Sequence, residues 1–536
     1  MFRKTGIRFA LAAGLVLAPG TMAQAQTAPA DAGHRTHQVL GTVSFPVTCS
    51  PAAQADFNHA MLLQHSFWYQ AAADAFRKVR ETDPTCVMAY WGEALSLLVN
   101  PFTVTTVANL RAGRALLAEA QRIGGRSERE TGLIAALSEL YGNEDPAQHR
   151  ARMERYEAAM AQLNQRFPDD SEIAIQYALA LVMVAPPTDK TYARQIRAAD
   201  ILEREAGRQP QHPGVAHYLI HTYDTPALAG RGVTAAERYA AIAADAPHAL
   251  HMPSHIFTRV GRWEDSIETN RRSAETARAR EAVFDEIHAY DYLVYGYLQT
   301  GQIDAARSVL AGLSRFDGWT APAPIFAWGL TAMRARWPLE RGAWEEAAVL
   351  DTRLLNAPFV DANTHFTRAI GAARAGRPDA ATTDVEALRS AASALQGRDA
   401  YWQEQVDILR IAAEGWVAFA RGQQEAGLAL LRQAAEREGR TDKHPVTPGP
   451  LMPAREQLGE MLALMGRNAE ALREFEAVQE VEPRRYRAVA GAAQAAERAG
   501  DRAAARRHYE ALLVIAARAD TARPELVAAR AFVAAN

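Results

Sequence analysis

Cysteine is scarce, with two in 536 residues. That excludes a disulfide-rich scaffold and a four-cysteine zinc site. Positive charge is in no excess either, because 59 Lys and Arg face 62 Asp and Glu for a net charge of −3. No basic field exists to offset phosphates, so nucleic acid is not an expected partner. Long apolar runs are missing as well. The run from Phe9 to Ala18 falls well short of the ~20 residues that a membrane helix needs, so no integral membrane segment is expected in the mature chain. Also absent are H-E-x-x-H, G-x-S-x-G, a Walker loop and C-x-x-C-H, which removes the common signatures of zinc proteases, serine hydrolases, nucleotide binding and haem attachment. Apolar residues are not depleted, however, and 49% hydrophobic content argues against extensive disorder.

The first residues have the physics of a secretory leader. Arg3, Lys4 and Arg8 precede the short apolar run, and Ala23-Gln24-Ala25 offers an A-x-A cleavage site. Residues 1–25 are therefore read as a signal peptide and 26–50 as a lead-in. Its removal leaves a mature charge near −6, and the expected location is periplasmic or extracellular. In that oxidising compartment Cys49 and Cys86, 37 positions apart, form a candidate disulfide whose loop closure contributes about 3–4 kcal/mol. Two unpaired buried thiols remain the alternative, because the sequence does not set the Cα separation.

From Ala52 onward strand patterning is absent, and Ala, Leu, Arg and Glu are dense. Glycine turn signals recur at Gly261, Gly301, Gly342, Gly376, Gly466 and Gly500. Their successive spacings include 40, 41 and 34 residues, which predicts stacked helix–turn–helix units. The clearest units hold Leu458-Gly459, Leu462, Gly466, Ala471, Phe475 and Pro483, then Gly500, Ala505 and Tyr509. This pattern resembles the tetratricopeptide repeat (TPR) family over most of residues 50–520. The resemblance implies an all-α, TPR-like helical solenoid with a concave groove. The expected division is a solenoid at 51–435, an ordered loop at 436–455 and C-terminal repeats at 456–536, with residues 100–150 departing from the period. The segments Leu63-Gln64-His65-Ser66-Phe67-Trp68-Tyr69 and Cys86-Val87-Met88-Ala89-Tyr90-Trp91-Gly92, with the histidine segments below, resemble exported bacterial TPR proteins of unassigned activity. That likeness implies fold and location only.

Fifteen histidines occur, and six fall between positions 212 and 255. His217 and His221 form one H-x-x-x-H pair, and His251 and His255 form another 34 residues on. The same two positions of a first helix are thus histidine in adjacent units. Ala216, Leu219, Ile220 and Tyr223 form the packing stripe, so the histidines fall beside it, on the side that lines the concave face in TPR arrays. A step of 40 residues carries His248, His251 and His255 onto His288, Asp291 and Tyr295. The histidine-rich groove is therefore expected across residues 212–295, with His65 of the first unit a further candidate lining it.

Imidazole plus carboxylate suits Zn, Cu or Fe, and the expected ligands are His217, His221, His248, His251, His255, His288, Asp224 and Asp291. Asp224 fits equally as a second-layer residue that orients an imidazole. His212 lies outside the repeated pairs. Six histidines exceed one tetrahedral site, so some act otherwise or serve a second ion. Three readings stay open: a transition-metal site with or without catalysis, a groove that binds a peptide or protein segment without metal, and packing or helix capping. Pro253, between His251 and His255, either starts the helix or kinks it.

Overall fold

The sequence favours helix locally at both ends of its elements. Proline occupies the first turn of the helices Pro51–His65, Pro213–Tyr223, Pro247–His251 and Pro358–Arg374, where its missing N–H would have had no partner. Elsewhere Ser127, Asp170, Asp399 and Asp501 accept a hydrogen bond from the amide three residues on, the N-cap role these side chains fill. Between paired helices the chain reverses at glycines with left-handed backbone, as at Gly261 (φ 69°) and Gly301 (φ 71°).

The computed structural model describes residues 38–321 and 323–535; the signal peptide expected at residues 1–25 lies outside the described residues. Every regular element among the described residues is a helix. Successive helices pair and stack, as in Trp263–Ala279 with Val283–Gln299, Ala400–Ala420 with Gln424–Gly439, and Tyr486–Arg498 with Arg502–Ile515. The protein is a TPR-like helical solenoid. Residues 97–106 are non-helical, but helices Val107–Ile123, Glu128–Leu140 and His149–Arg166 continue the array through the stretch where the glycine signal lapses. Among the described residues, no helix is long and apolar enough to cross a membrane.

Two features position the site. Distant units touch: Trp263 donates from its indole to the Arg484 carbonyl at 2.9 Å, and Tyr295 to Glu482 at 2.8 Å. Residues 440–453, irregular between Gln424–Gly439 and Ala454–Leu464, then lie against the histidine units. Lys443 reaches Asp224 at 2.7 Å, Tyr292 donates to the Thr447 carbonyl at 3.1 Å, and Arg336 donates to the Gly449 carbonyl at 2.8 Å. Asp442 in the same loop meets Lys190 at 2.7 Å. The loop thus fills the concave face at this point.

From residue 38 the described part of the lead-in is packed. Phe45 is fully buried against Phe57 and Trp91, and Thr42 donates to the Gln211 carbonyl at 3.0 Å. Cys49 is bonded to Cys86 with their Cα atoms 4.7 Å apart, which ties the lead-in to the start of helix Val87–Ser96. Thiol titration of denatured, unreduced protein is expected to find no free thiol. Replacing both cysteines by serine is expected to cost about 3–4 kcal/mol in denaturant unfolding; an unchanged midpoint would contradict a loop-closing role.

Candidate metal centre

Three helix segments present the histidines. Helix Pro213–Tyr223 carries His217 and His221, the segment Pro247–Arg259 carries His248, His251 and His255, and helix Val283–Gln299 carries His288. Pro253 divides the middle segment, yet Met252 keeps right-handed helical backbone (φ −52°, ψ −37°) and donates to the His248 carbonyl at 2.9 Å. The segment is therefore a kinked helix rather than a fresh start. One-turn spacing survives the kink, and His251 Nε2 stands 3.0 Å from His255 Nε2.

The side chains fall into two abutting triads. In one, ligand atoms of His217, His221 and His248 lie within 4.8 Å of one another; in the other, those of His251, His255 and His288 do. Hydrogen bonds on the far ring atoms set the tautomers. His217 Nδ1 donates to the His65 carbonyl at 2.7 Å. His251 Nδ1 meets Asn270 Oδ1 at 2.6 Å, and the same amide donates from Nδ2 to the Ser266 carbonyl at 2.7 Å, so Oδ1 must be the acceptor. His255 Nδ1 donates to Asp224 Oδ2 at 2.9 Å. In the neutral rings the lone pairs of these three histidines therefore sit on Nε2.

Few of those lone pairs meet a donor, the Tyr292 hydroxyl standing 3.4 Å from His255 Nε2. His217 Nε2, both nitrogens of His221 and His248 Nε2 are buried without a partner. His251 and His255 aim two lone pairs at each other across 3.0 Å, close to the roughly 3.3 Å that separates two nitrogens on one tetrahedral ion at ~2.0–2.1 Å. A buried unpaired acceptor costs about 1–3 kcal/mol, a cost that a cation among His217, His221 and His248 would remove.

Charge and walls suit neutral donors. Burial holds His217, His221, His248, His251 and His288 well below the ordinary imidazole range, and the neighbouring imidazoles push them further down. Around the rings stand Phe67, edge-on to His217 at 4.2 Å and stacked over His221 and His248, Phe102 beside His221 at 4.7 Å, and Phe284 stacked on His288 at 5.4 Å. Phe67 holds a left-handed backbone (φ 52°) just past helix Pro51–His65. There its amide bonds the Gln64 carbonyl while Trp68 bonds that of Leu63. This is a Schellman turn with phenylalanine in the slot that glycine normally takes.

Several sequence expectations are corrected. The histidines do not line an open groove: His217, His251 and His255 are at most 1% exposed, His217 among Phe67, Tyr218 and Tyr239, and His251 and His255 against Tyr292. Asp291 is not brought to the triads, since it forms a buried ion pair with Arg336. Tyr295 is fully buried and bonded to Glu482 and Arg485 (2.8 and 3.1 Å) rather than facing the imidazoles. Asp224 takes the orienting place: burial alone would raise its carboxyl, but Lys443, Arg259 and His255 outweigh that and hold it well below the usual carboxylate range.

His65 and His212 belong to a third cluster, both paired to Glu172 (3.2 and 3.0 Å). His212 Nδ1 accepts from the Val215 amide at 3.3 Å and His65 Nδ1 meets the Tyr218 hydroxyl at 3.0 Å. Every ring nitrogen there is partnered without an ion. Gly214 makes room for this cluster, as a Cβ on it would come 2.4 Å from His65 Nδ1. The same His65 offers its carbonyl to His217 Nδ1. Glu172, Asn270, Tyr292, Phe67 and Phe102 carry no repeat signature linking them to the histidines. Phe67 alone offered a hint, an aromatic at a helix end.

No family model matches the chain, and no curated protein matches it closely. Among solved structures it is similar to a monomeric mutant of IFIT1 with Gppp-AAAA, at 11% identity over 80% of this chain and 90% of that one, with a TM-score of 0.39. It is also similar to yeast Tom70, at 12% identity over 90% and 95% with a TM-score of 0.30, and to the P58(IPK) TPR domain, at 12% over 68% and 99% with a TM-score of 0.21. Superpositions this loose add nothing to what the helix pairs themselves establish.

The depressed imidazoles have a consequence for metal-free protein. On unfolding, each recovers an ordinary pKa near ~6.5 and takes up a proton that the folded chain refuses. Stability is therefore complete above that pH and lost as pH falls below it. Thermal melting of metal-free protein is expected to drop by several degrees between about pH 7.5 and about pH 5.5. A melting temperature that is flat or rises on acidification would contradict neutral imidazoles held below their ordinary range by burial.

Proposed function

We propose that the chain is an exported protein that binds transition-metal ions through His217, His221 and His248 and through His251, His255 and His288. One observation carries the reading: His217, His221 and His248 converge with buried nitrogens that lack partners, and in the second triad His251 and His255 meet Nε2 to Nε2 at 3.0 Å while Nδ1 of each is anchored. The contrast with the Glu172 cluster supports it, since the ligand atoms there also lie within 4.8 Å of one another yet every ring nitrogen is hydrogen-bonded. An all-imidazole donor set suits Zn, Cu or Fe and disfavours Mg or Ca. The His65 carbonyl, Asn270 and Asp224 act from behind the ligands, holding ring orientation and tautomer. Export is supported by the leader-like start of the sequence, and the Cys49–Cys86 bond suits an oxidising compartment. A peptide reaching these histidines would have to displace residues 440–453, which favours the metal reading over a peptide groove at this point.

Elemental analysis of purified protein, with metal titration, tests the reading. His217→Ala and His255→Ala are expected to weaken binding by more than about 100-fold, and Asp224→Asn by about 10–100-fold, as ligand-orienting partners do. His212→Gln is expected to lower the melting temperature while leaving metal content unchanged. Absence of zinc, copper and iron uptake by folded protein, with the alanine variants melting like the parent, would leave the protein-binding scaffold as the better account. Separately, N-terminal sequencing of protein recovered outside the cytoplasm is expected to begin at Gln26; a chain beginning at Met1 in the cytoplasmic fraction would remove export from the reading.

A further inference from the structure

We infer that the two triads form one dinuclear copper centre that takes up dioxygen between its ions. The inference rests on the metal-binding reading above and names its metal and its ligand. Proximity is the first ground. Across the triads, the His221 and His255 rings are 5.9 Å apart, His248 and His251 5.9 Å, and His248 and His288 6.4 Å. Within the second triad alone the separations already run from 4.1 to 6.0 Å. The step between triads is thus hardly larger than the step within one, so ions held by the two triads would be near enough to share a small ligand.

Charge is the second ground. The six donors are imidazoles, with Asp285 facing His248 Nδ1 at 3.7 Å and Asp224 facing His255 Nδ1 at 2.9 Å. Asp224 is engaged by Lys443 and Arg259, and Asp291 by Arg336. Two divalent ions alone would place four positive charges among buried aromatic rings, a heavily penalised arrangement. Copper(I) halves that charge and is satisfied by three imidazoles. On oxygen binding each copper(I) gives up one electron, and dioxygen accepts both to become a bridging peroxide with its O–O bond reduced to a single bond. The two negative charges of the peroxide offset the two gained by the metals, so the centre keeps the same net charge throughout. No proton or outside reductant is consumed.

Access is the third ground. His221 and His248 are the partly exposed members, the other four being buried. Phe67 and Phe102 flank His221 at 5.6 and 4.7 Å. An apolar diatomic molecule passes such an aromatic rim more readily than a hydrated anion does. The left-handed Phe67 backbone, held where glycine would be unstrained, fixes one wall of that rim.

The test uses the full chain loaded with copper(I) under anaerobic conditions. Elemental analysis is expected to give two coppers per chain. Admission of oxygen is expected to produce an intense near-ultraviolet peroxide-to-copper absorption, one oxygen per copper pair, with the copper(II) ions silent in electron paramagnetic resonance through mutual coupling. His248→Gln and His288→Gln, each removing a donor from one triad, are expected to lose the band and show an isolated copper(II) signal; circular dichroism checks their fold. Two coppers that oxidise to full-intensity, uncoupled signals without the band would overturn the inference and leave metal binding standing. So would stoichiometric zinc uptake by protein that refuses copper. Failure of the folded parent to take up any transition metal would overturn both.

Discussion

The carboxylate of Asp224 is the point on which the interior depends. It receives Lys443 and His255 on one oxygen at 2.7 and 2.9 Å and Arg259 on the other at 2.9 Å, all buried. Lys443 comes from a loop 219 residues away in sequence, so one carboxylate joins the covering loop to the histidine helices and sets the His255 ring. Burying four charged or ionisable groups together is costly unless each is paired. Here the pairing leaves no oxygen idle, and removal of one partner would strand the rest. A second knot, Arg485 with Glu340 and Glu456, joins three further helices in the same manner and holds Tyr295 away from the imidazoles.

The molecule contains its own control for the meaning of a buried histidine. Around Glu172 two histidines are buried and every ring nitrogen is bonded, so their burial is explained by hydrogen bonding alone. A few ångströms of chain away, His217, His221 and His248 are buried with bare nitrogens. Both groups lie among helices that would tolerate apolar residues at those positions far more cheaply. The difference between them is chemical: the ligand atoms of His65, Glu172 and His212 also lie within 4.8 Å of one another, but they are bonded to each other and to neighbouring groups.

Phe67 and the loop at 440–453 show how the solenoid converts a groove into an enclosed centre. A TPR-like stack exposes its first-helix side chains along a concave face; here that face is closed by a loop whose own contacts are the Asp224 knot, the Tyr292–Thr447 bond and the Arg336–Gly449 bond. Enclosure lowers the local dielectric, which keeps the imidazoles neutral and strengthens each electrostatic contact among them.

The repeat architecture was legible in the sequence because helix propensity, glycine turns and a period near 34 residues are local or periodic signals. The pairing of His217 with His221 and of His251 with His255, and the extension to His288, followed from that same period. The Cys49–Cys86 bond could be nominated, though its Cα spacing could not. What the period could not convey is direction beyond the helix on which a residue sits. Asp291 and Tyr295 occupy the equivalent positions, yet Arg336, Glu482 and Arg485, brought in from distant units, claim them. Asn270 and Glu172 were not legible as partners of the histidines, because each acts through contacts between segments apart in the chain; a loop was expected at 436–455, but not its bonds to Asp224, Tyr292 and Arg336. Local periodicity determined which histidines share a helix face. Long-range packing, through the cost of leaving a buried charge or lone pair unpaired, decided which of them converge.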